Sequence, residues 1–225
     1  MTLNPVLLSK IESVLSHTIA PNLTSTSEGD DLYEAYIWSI VIEAAKNKGA
    51  NVVFRDVNGN LVATNFIFRS SPGELWWHSH AYCHAEISFD GCPTLEAHTG
   101  IYVSGRSNVR HECDVAVLHK SESDICRSNH VLPRSSKVVL AIECKYYVNS
   151  KPGLALGRGF LGLREEIQRD SRFFIAISHS RSVEKLLAKH TRDFDLKFTP
   201  VIPHNVSVMR SVFESVFAKF KAQHN

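Results

Sequence analysis

The sequence predicts an α/β protein whose sheet is covered by helices on both faces, and three observations carry that prediction. From Val109 onward, short apolar runs alternate with segments of helical periodicity, the pattern of strands joined by crossover helices. Before them stands a long amphipathic stretch, Asp30 to Lys48, with Leu32, Ile37, Ile40, Val41 and Ala44 repeating near the helical period. At 225 residues and 44% hydrophobic, the chain can bury one full core, so residues 1–225 are expected to form one domain with an elaboration.

Taken in order, residues 5–16 have helical spacing, and TSTSEGD at 24–30 reads as a linker that caps the next helix, so residues 1–29 form an N-terminal helix and linker. The helix from Asp30 should stop at Gly49. NVVFRDVNGNLVATNFIF then predicts a hairpin around Asn58-Gly59, the dipeptide that a tight turn prefers. Residues 70–108 carry turn signals (SPGE, DGCP, SGRSN) around two strand-like runs, AYCHAEISF and LEAHTGIYV, and are read as a β-rich insertion. Beyond it the reading is a strand at 113–118, a polar loop over 120–136 and a strand in KVVLAIECKYY. A helix at 154–169, the strand RFFIAISH, a helix at 181–190, the strand FTPVIP and a last helix at 206–222 complete the chain.

The net charge of +2 hides an asymmetry: residues 1–100 run at about −6 and residues 101–225 at about +8. A basic C-terminal half suits a polyanionic partner. Five scattered cysteines, an odd number with two inside predicted strands, fit free thiols in a reducing compartment. No apolar run approaches the roughly 20 residues a membrane helix needs, and the N-terminus lacks a basic leader followed by an apolar core. A cytoplasmic protein without membrane contact is expected.

The chemistry concentrates in AIECKYY, residues 141–147. Alternation along a strand puts Glu143, Lys145 and Tyr147 on one side and Ile142, Cys144 and Tyr146 on the other. In the preceding strand Asp114 is an acid among apolar residues, predicted to share a face with Ala116 and Leu118. If the two strands pair, Asp114 and Glu143 converge, and two carboxylates that close repel unless a cation lies between them. A metal is the cation such a geometry asks for.

This constellation resembles the PD-(D/E)XK, or restriction-endonuclease-like, nuclease superfamily, in which a helix bearing a glutamate precedes a β-meander, an acid ends one strand and an E-x-K triplet lies on the next. The matching residues are Glu34 in DDLYEAYIW, Asp114 in HECDVAVL, and Glu143 with Lys145 in AIECKYY, over roughly residues 30–205. Cys113 stands where the family name has proline, and the gap between Asp114 and Glu143 is long. The resemblance implies a restriction-endonuclease-like core, a mixed central sheet flanked by helices. It further implies a Mg2+-dependent endonuclease acting on DNA, in restriction or antiviral defence, with Mn2+ able to substitute. Asp114, Glu143 and the backbone carbonyl of Cys144 would hold the metal, Lys145 would orient the attacking water, and Glu34 would bind a second ion or an outer water. Many members of the family act as homodimers, so self-association is implied too. The alternatives are a non-catalytic nucleic-acid-binding module on the same fold, an RNA nuclease, or a Holliday-junction resolvase.

Other residues carry weaker signals. Glu112 and His111 flank the acid. Arg158 and Arg164, on the helix after the triplet, suit either phosphate contacts or a solvated face. His78, His80, Cys83 and His84, with Cys92 and His98 nearby, suggest zinc by composition, but no CxxC pair supports it.

Overall fold

The computed structural model describes residues 3–77, 80–167 and 171–224. Its centre is a seven-stranded mixed sheet in the order β2-β4-β5-β6-β7-β8-β9. The strands are β2 (Asn51–Asp56), β4 (Cys83–Ser88), β5 (Leu95–Ser104), β6 (Arg110–His119), β7 (Val138–Lys145), β8 (Arg172–Ala176) and β9 (Phe194–Leu196). From β2 to β7 neighbouring strands run antiparallel, and β7, β8 and β9 are parallel. The parallel strands need crossovers, supplied by α4 (Leu154–Glu166) and α5 (Arg181–His190).

Three helices cover one face: α1 (Leu3–Leu15), α2 (Gly29–Asn47) and α6 (Pro203–Ala222). Their residues Ile11, Ile37, Phe213 and Phe217 pack in one cluster with Val115, Val117, Ile142 and Ile175 of the sheet. Trp38 of α2 is buried among Phe54, Phe66 and Phe68 and donates its indole N–H to the Ala97 carbonyl at 3.2 Å. On the other face, Cys126 of α3 (Lys120–Asn129) joins Ala116, Leu118 and Ala141, while α4 and α5 cover β8 through Phe160, Val183 and Leu187. The helix-covered sheet read from the sequence is therefore present.

Several local expectations are corrected. The segment 70–108 is no appendage, because β4 and β5 are interior strands of the main sheet. The predicted hairpin forms its turn, with the Asp56 carboxylate accepting the N–H groups of Asn58 and Asn60. Its second arm keeps only the bridge between Arg55 and Leu61. The chain then leaves as β3 (Asn65–Phe66), parallel to β1 (Ala20–Pro21), which lets Phe66 and Phe68 reach Trp38. The polar loop after β6 contains α3, which hides its buried Glu122, Ser123 and Cys126 while showing a charged surface. FTPVIP is not a strand, and β9 precedes it; Pro200 and Pro203 offer no N–H to a ladder, and Pro203 instead opens α6. The predicted end of the helix at 154–169 and His78 lie outside the described residues. All five cysteines are free thiols, and no helix among the described residues is long and apolar enough to cross a membrane.

Candidate metal and catalytic site

β6 and β7 pair from Leu118↔Val138 to Val115↔Ile142, and the ladder ends before Asp114 would face Glu143. At this fork a side chain takes over from the backbone. Asp114 Oδ2 accepts the Cys144 N–H at 2.6 Å and lies 3.4 Å from Lys145 Nζ. Lys145 Nζ in turn lies 2.6 Å from Glu143 Oε1. Glu143 and Lys145 form an ion pair at i, i+2, and one ammonium bridges both acids.

The alternation predicted for β6 does not hold at Asp114. Cys113 packs with Ala116 and Leu118 in one cluster, whereas Val115 and Val117 belong to the other, so the strand switches faces at this residue. Across the ladder, the register steps from Thr99↔Val115 to Ile101↔Cys113 with Gly100 and Asp114 between them. Gly100 has φ +55°, a left-handed value, and β5 switches core sides there as well. The signal for this kink in the sequence is the lone glycine within LEAHTGIYV.

Glu34 comes to the fork on α2. Its neighbour Tyr33 packs against Tyr146, with ring centroids 5.7 Å apart, and donates its hydroxyl to the Phe198 carbonyl. These contacts dock α2 beside the end of β7. Glu34 makes no hydrogen bond or ion pair with any described residue. Burial pushes its carboxyl up to about 9, with Asp114 as the largest charge acting in the same direction and Lys145 opposing it. Asp114, 3% exposed, is pushed up to about 7 by burial and then by Glu143, against Lys145 and the Cys144 N–H. Glu112, exposed at the start of β6, is raised by desolvation and Glu143. Burial alone would lower Lys145; Asp114 and Glu143 outweigh it and hold the ammonium above its ordinary range.

Two carboxylates thus contact one lysine, and two more, Glu34 and Glu112, feel its charge. The two contacts of Asp114 fall on Oδ2 and that of Glu143 on Oε1, so each keeps an oxygen with no hydrogen bond to a described residue. An all-oxygen donor set with excess negative charge fits a hard divalent cation. Cys144 contributes its N–H to Asp114, and its buried thiol, raised by burial, is a packing group.

Of the two arginines, Arg158 is exposed on α4 and makes no hydrogen bond or ion pair with a described residue. Arg164 is engaged, donating to the Asp193 carboxylate and to the His190 carbonyl. It ties α4 to the end of α5.

A second cluster is tighter. His84, Glu86 and Glu96 have ligand atoms within 4.8 Å of one another and could hold a metal. His84 and His98, grouped with cysteines by composition, instead meet Glu96, which lies on the strand next to His84 and on the same strand as His98. Cys83 is engaged elsewhere, taking the Ile67 N–H. Glu96, fully buried, accepts from Arg127 at 2.6 Å and is hydrogen-bonded to His98 at 3.0 Å, and Lys120 lies 3.8 Å away. Glu86 is paired with Arg55 and Lys120. Three basic side chains already balance this cluster, in contrast to the fork. No family model, no curated protein and no solved structure matches the chain.

Proposed function

We propose that the chain is a metal-dependent nuclease of the PD-(D/E)XK kind, hydrolysing phosphodiester bonds in DNA, with a role in restriction or antiviral defence. The observation supporting this reading most directly is the fork itself. Asp114 and Glu143 are held by one lysine, each with an oxygen uncommitted among the described residues, and Glu34, unpaired among them, feels the charge of Asp114. In this reading Asp114, Glu143 and the Cys144 carbonyl hold Mg2+, or Mn2+ in its place. A bound Mg2+ would make its water more acidic and offset charge developing on the phosphoryl group. Lys145, held by Glu143 at 2.6 Å and by Asp114 at 3.4 Å, would direct its third N–H at that water. Glu34 completes the acidic ring, either at a second ion or through water. Arg158, exposed on α4 and without a partner among the described residues, is suited to a phosphate.

Purified protein assayed on plasmid, linear duplex, single-stranded DNA and RNA, with Mg2+, Mn2+ or chelator, tests the reading. Metal-dependent DNA cleavage that Lys145→Ala abolishes, with affinity for DNA nearly unchanged, is the expected result. Cleavage undiminished in chelator overturns the metal mechanism. Binding of DNA without cleavage under every condition identifies a non-catalytic module instead, and cleavage of RNA alone identifies a ribonuclease.

A further inference from the structure

A cavity of about 410 Å³ is lined by residues 67–73 together with Asn22, Trp77 and residues 80–82. One side is built around Arg69. Its guanidinium lies 3.5 Å over the Tyr82 ring, and its Nη2 donates to the Glu74 carbonyl at 3.0 Å. Its Nε is buried with no hydrogen-bond partner among the described residues, and no described carboxylate forms an ion pair with it. A Cβ on Gly73 would sit 2.4 Å from Arg69 Nη1, so glycine there leaves the folded-back guanidinium its place.

A desolvated cation in no ion pair is costly, here offset in part by Tyr82 and by the charge of Glu74, and a guanidinium stacked on an aromatic ring presents its fork to phosphate oxygens. Ser70 and Ser71, both exposed, place hydroxyl donors in the same wall. Trp77, 50% exposed, contributes a large aromatic surface to the lining. A nucleobase stacks favourably on such a ring.

We propose that this cavity binds a nucleoside phosphate, with the phosphate on Arg69 and the base on Trp77. It uses none of the acids at the fork, and so does not depend on the chain being a nuclease. A free nucleotide and one unit of a nucleic-acid strand share this chemistry.

Calorimetric titration of the whole chain with inorganic phosphate, with AMP and with a short single-stranded DNA tests the proposal. AMP is expected to bind more tightly than phosphate. Arg69→Gln should weaken both by about tenfold or more, and Trp77→Ala should reduce AMP to the level of phosphate while leaving phosphate unchanged. Trp77 is half exposed, so its variant keeps the test valid if Arg69→Gln lowers stability. Lys145→Ala should bind AMP as the unsubstituted protein does, which separates this pocket from the proposed cleavage site. Saturable AMP binding identifies a free nucleotide as ligand; binding of the oligonucleotide alone, with the same dependence on Arg69 and Trp77, identifies a strand. Absence of binding by both, or binding indifferent to both substitutions, overturns the proposal.

Discussion

Asp114 and Cys144 are joined across the fork of β6 and β7 by a 2.6 Å hydrogen bond from a main-chain N–H to a carboxylate. The bond favours the ionised acid, yet burial and Glu143 raise Asp114 to about 7. In metal-free protein the folded state therefore holds a proton that the unfolded state releases near pH 4. Stability should fall as pH rises from about 4 to about 7 through this residue, by an amount on the order of a few kcal/mol. Asp114→Asn should flatten that slope, as read from urea denaturation at pH 5 and pH 8.

The same substitution bears on metal binding. Added Mg2+ at 100 times its Kd should stabilise the protein by about 2.7 kcal/mol, seen as a rise in Tm. Asp114→Asn should lose that rise and lose cleavage. A variant stabilised by Mg2+ as strongly as the parent would remove Asp114 from the metal site.

Gly100→Ala isolates the kink opposite Asp114. A left-handed φ of +55° costs a residue with a Cβ about 1–2 kcal/mol. The new methyl would meet Arg69 Cβ and Pro72 Cα in ordinary contact at 3.6 Å, so the backbone torsion alone carries the cost. Thermal melts should show a loss of roughly 2–8 °C for a chain of this size; an unchanged Tm would mean that the kink is not strained.

Arg127 is the principal partner of Glu96, whose side chain is wholly buried. Removing one member of such a pair strands the other charge, so Arg127→Met should destabilise by about 3–5 kcal/mol. Equilibrium denaturation would measure it, and a loss below 1 kcal/mol would show that His98 and Lys120 suffice.

The same network sets an acid limit of opposite slope. Burial lowers His98 to about 3, against the raising pull of Glu96. Between about pH 6.5 and 3 the unfolded chain binds a proton there that the native protein refuses, so stability falls as pH falls through this window. Glu96, which His84, His98 and Arg127 hold well below the ordinary carboxylate range against the effect of burial, adds to the loss at the acid end. His98→Gln should make denaturation midpoints less sensitive between pH 7 and pH 4.

The sequence made legible what depends on local pattern. Helical periodicity located α2 and α6, and the apolar run ending in Glu143 and Lys145 located β7. What it hid depends on partners distant in the chain. Turn signals made the segment read as an insertion, whereas its His84, Glu86, Glu96 and His98 lie in the main sheet, where Arg55, Lys120 and Arg127 from other elements balance the acids. The strand β9 lacks a strong apolar run because it is only half buried. Asp114, Glu143 and Lys145 could be grouped from strand alternation, but the side of β6 on which Asp114 lies turned on Gly100, a property of backbone torsion that alternation ignores.

Because the acid at the fork is anchored by an amide, the identity of the side chain between Glu143 and Lys145 is chemically almost free. Any residue with an N–H supplies the same anchor, and only proline would withhold it. Position 144 is then constrained by volume alone, since its thiol is 5% exposed and packs with Ile142 and Ile175. Alanine or valine there should preserve the arrangement of acids. The middle letter of the triplet is thus written in backbone, and a search by side-chain identity would find no information at that position.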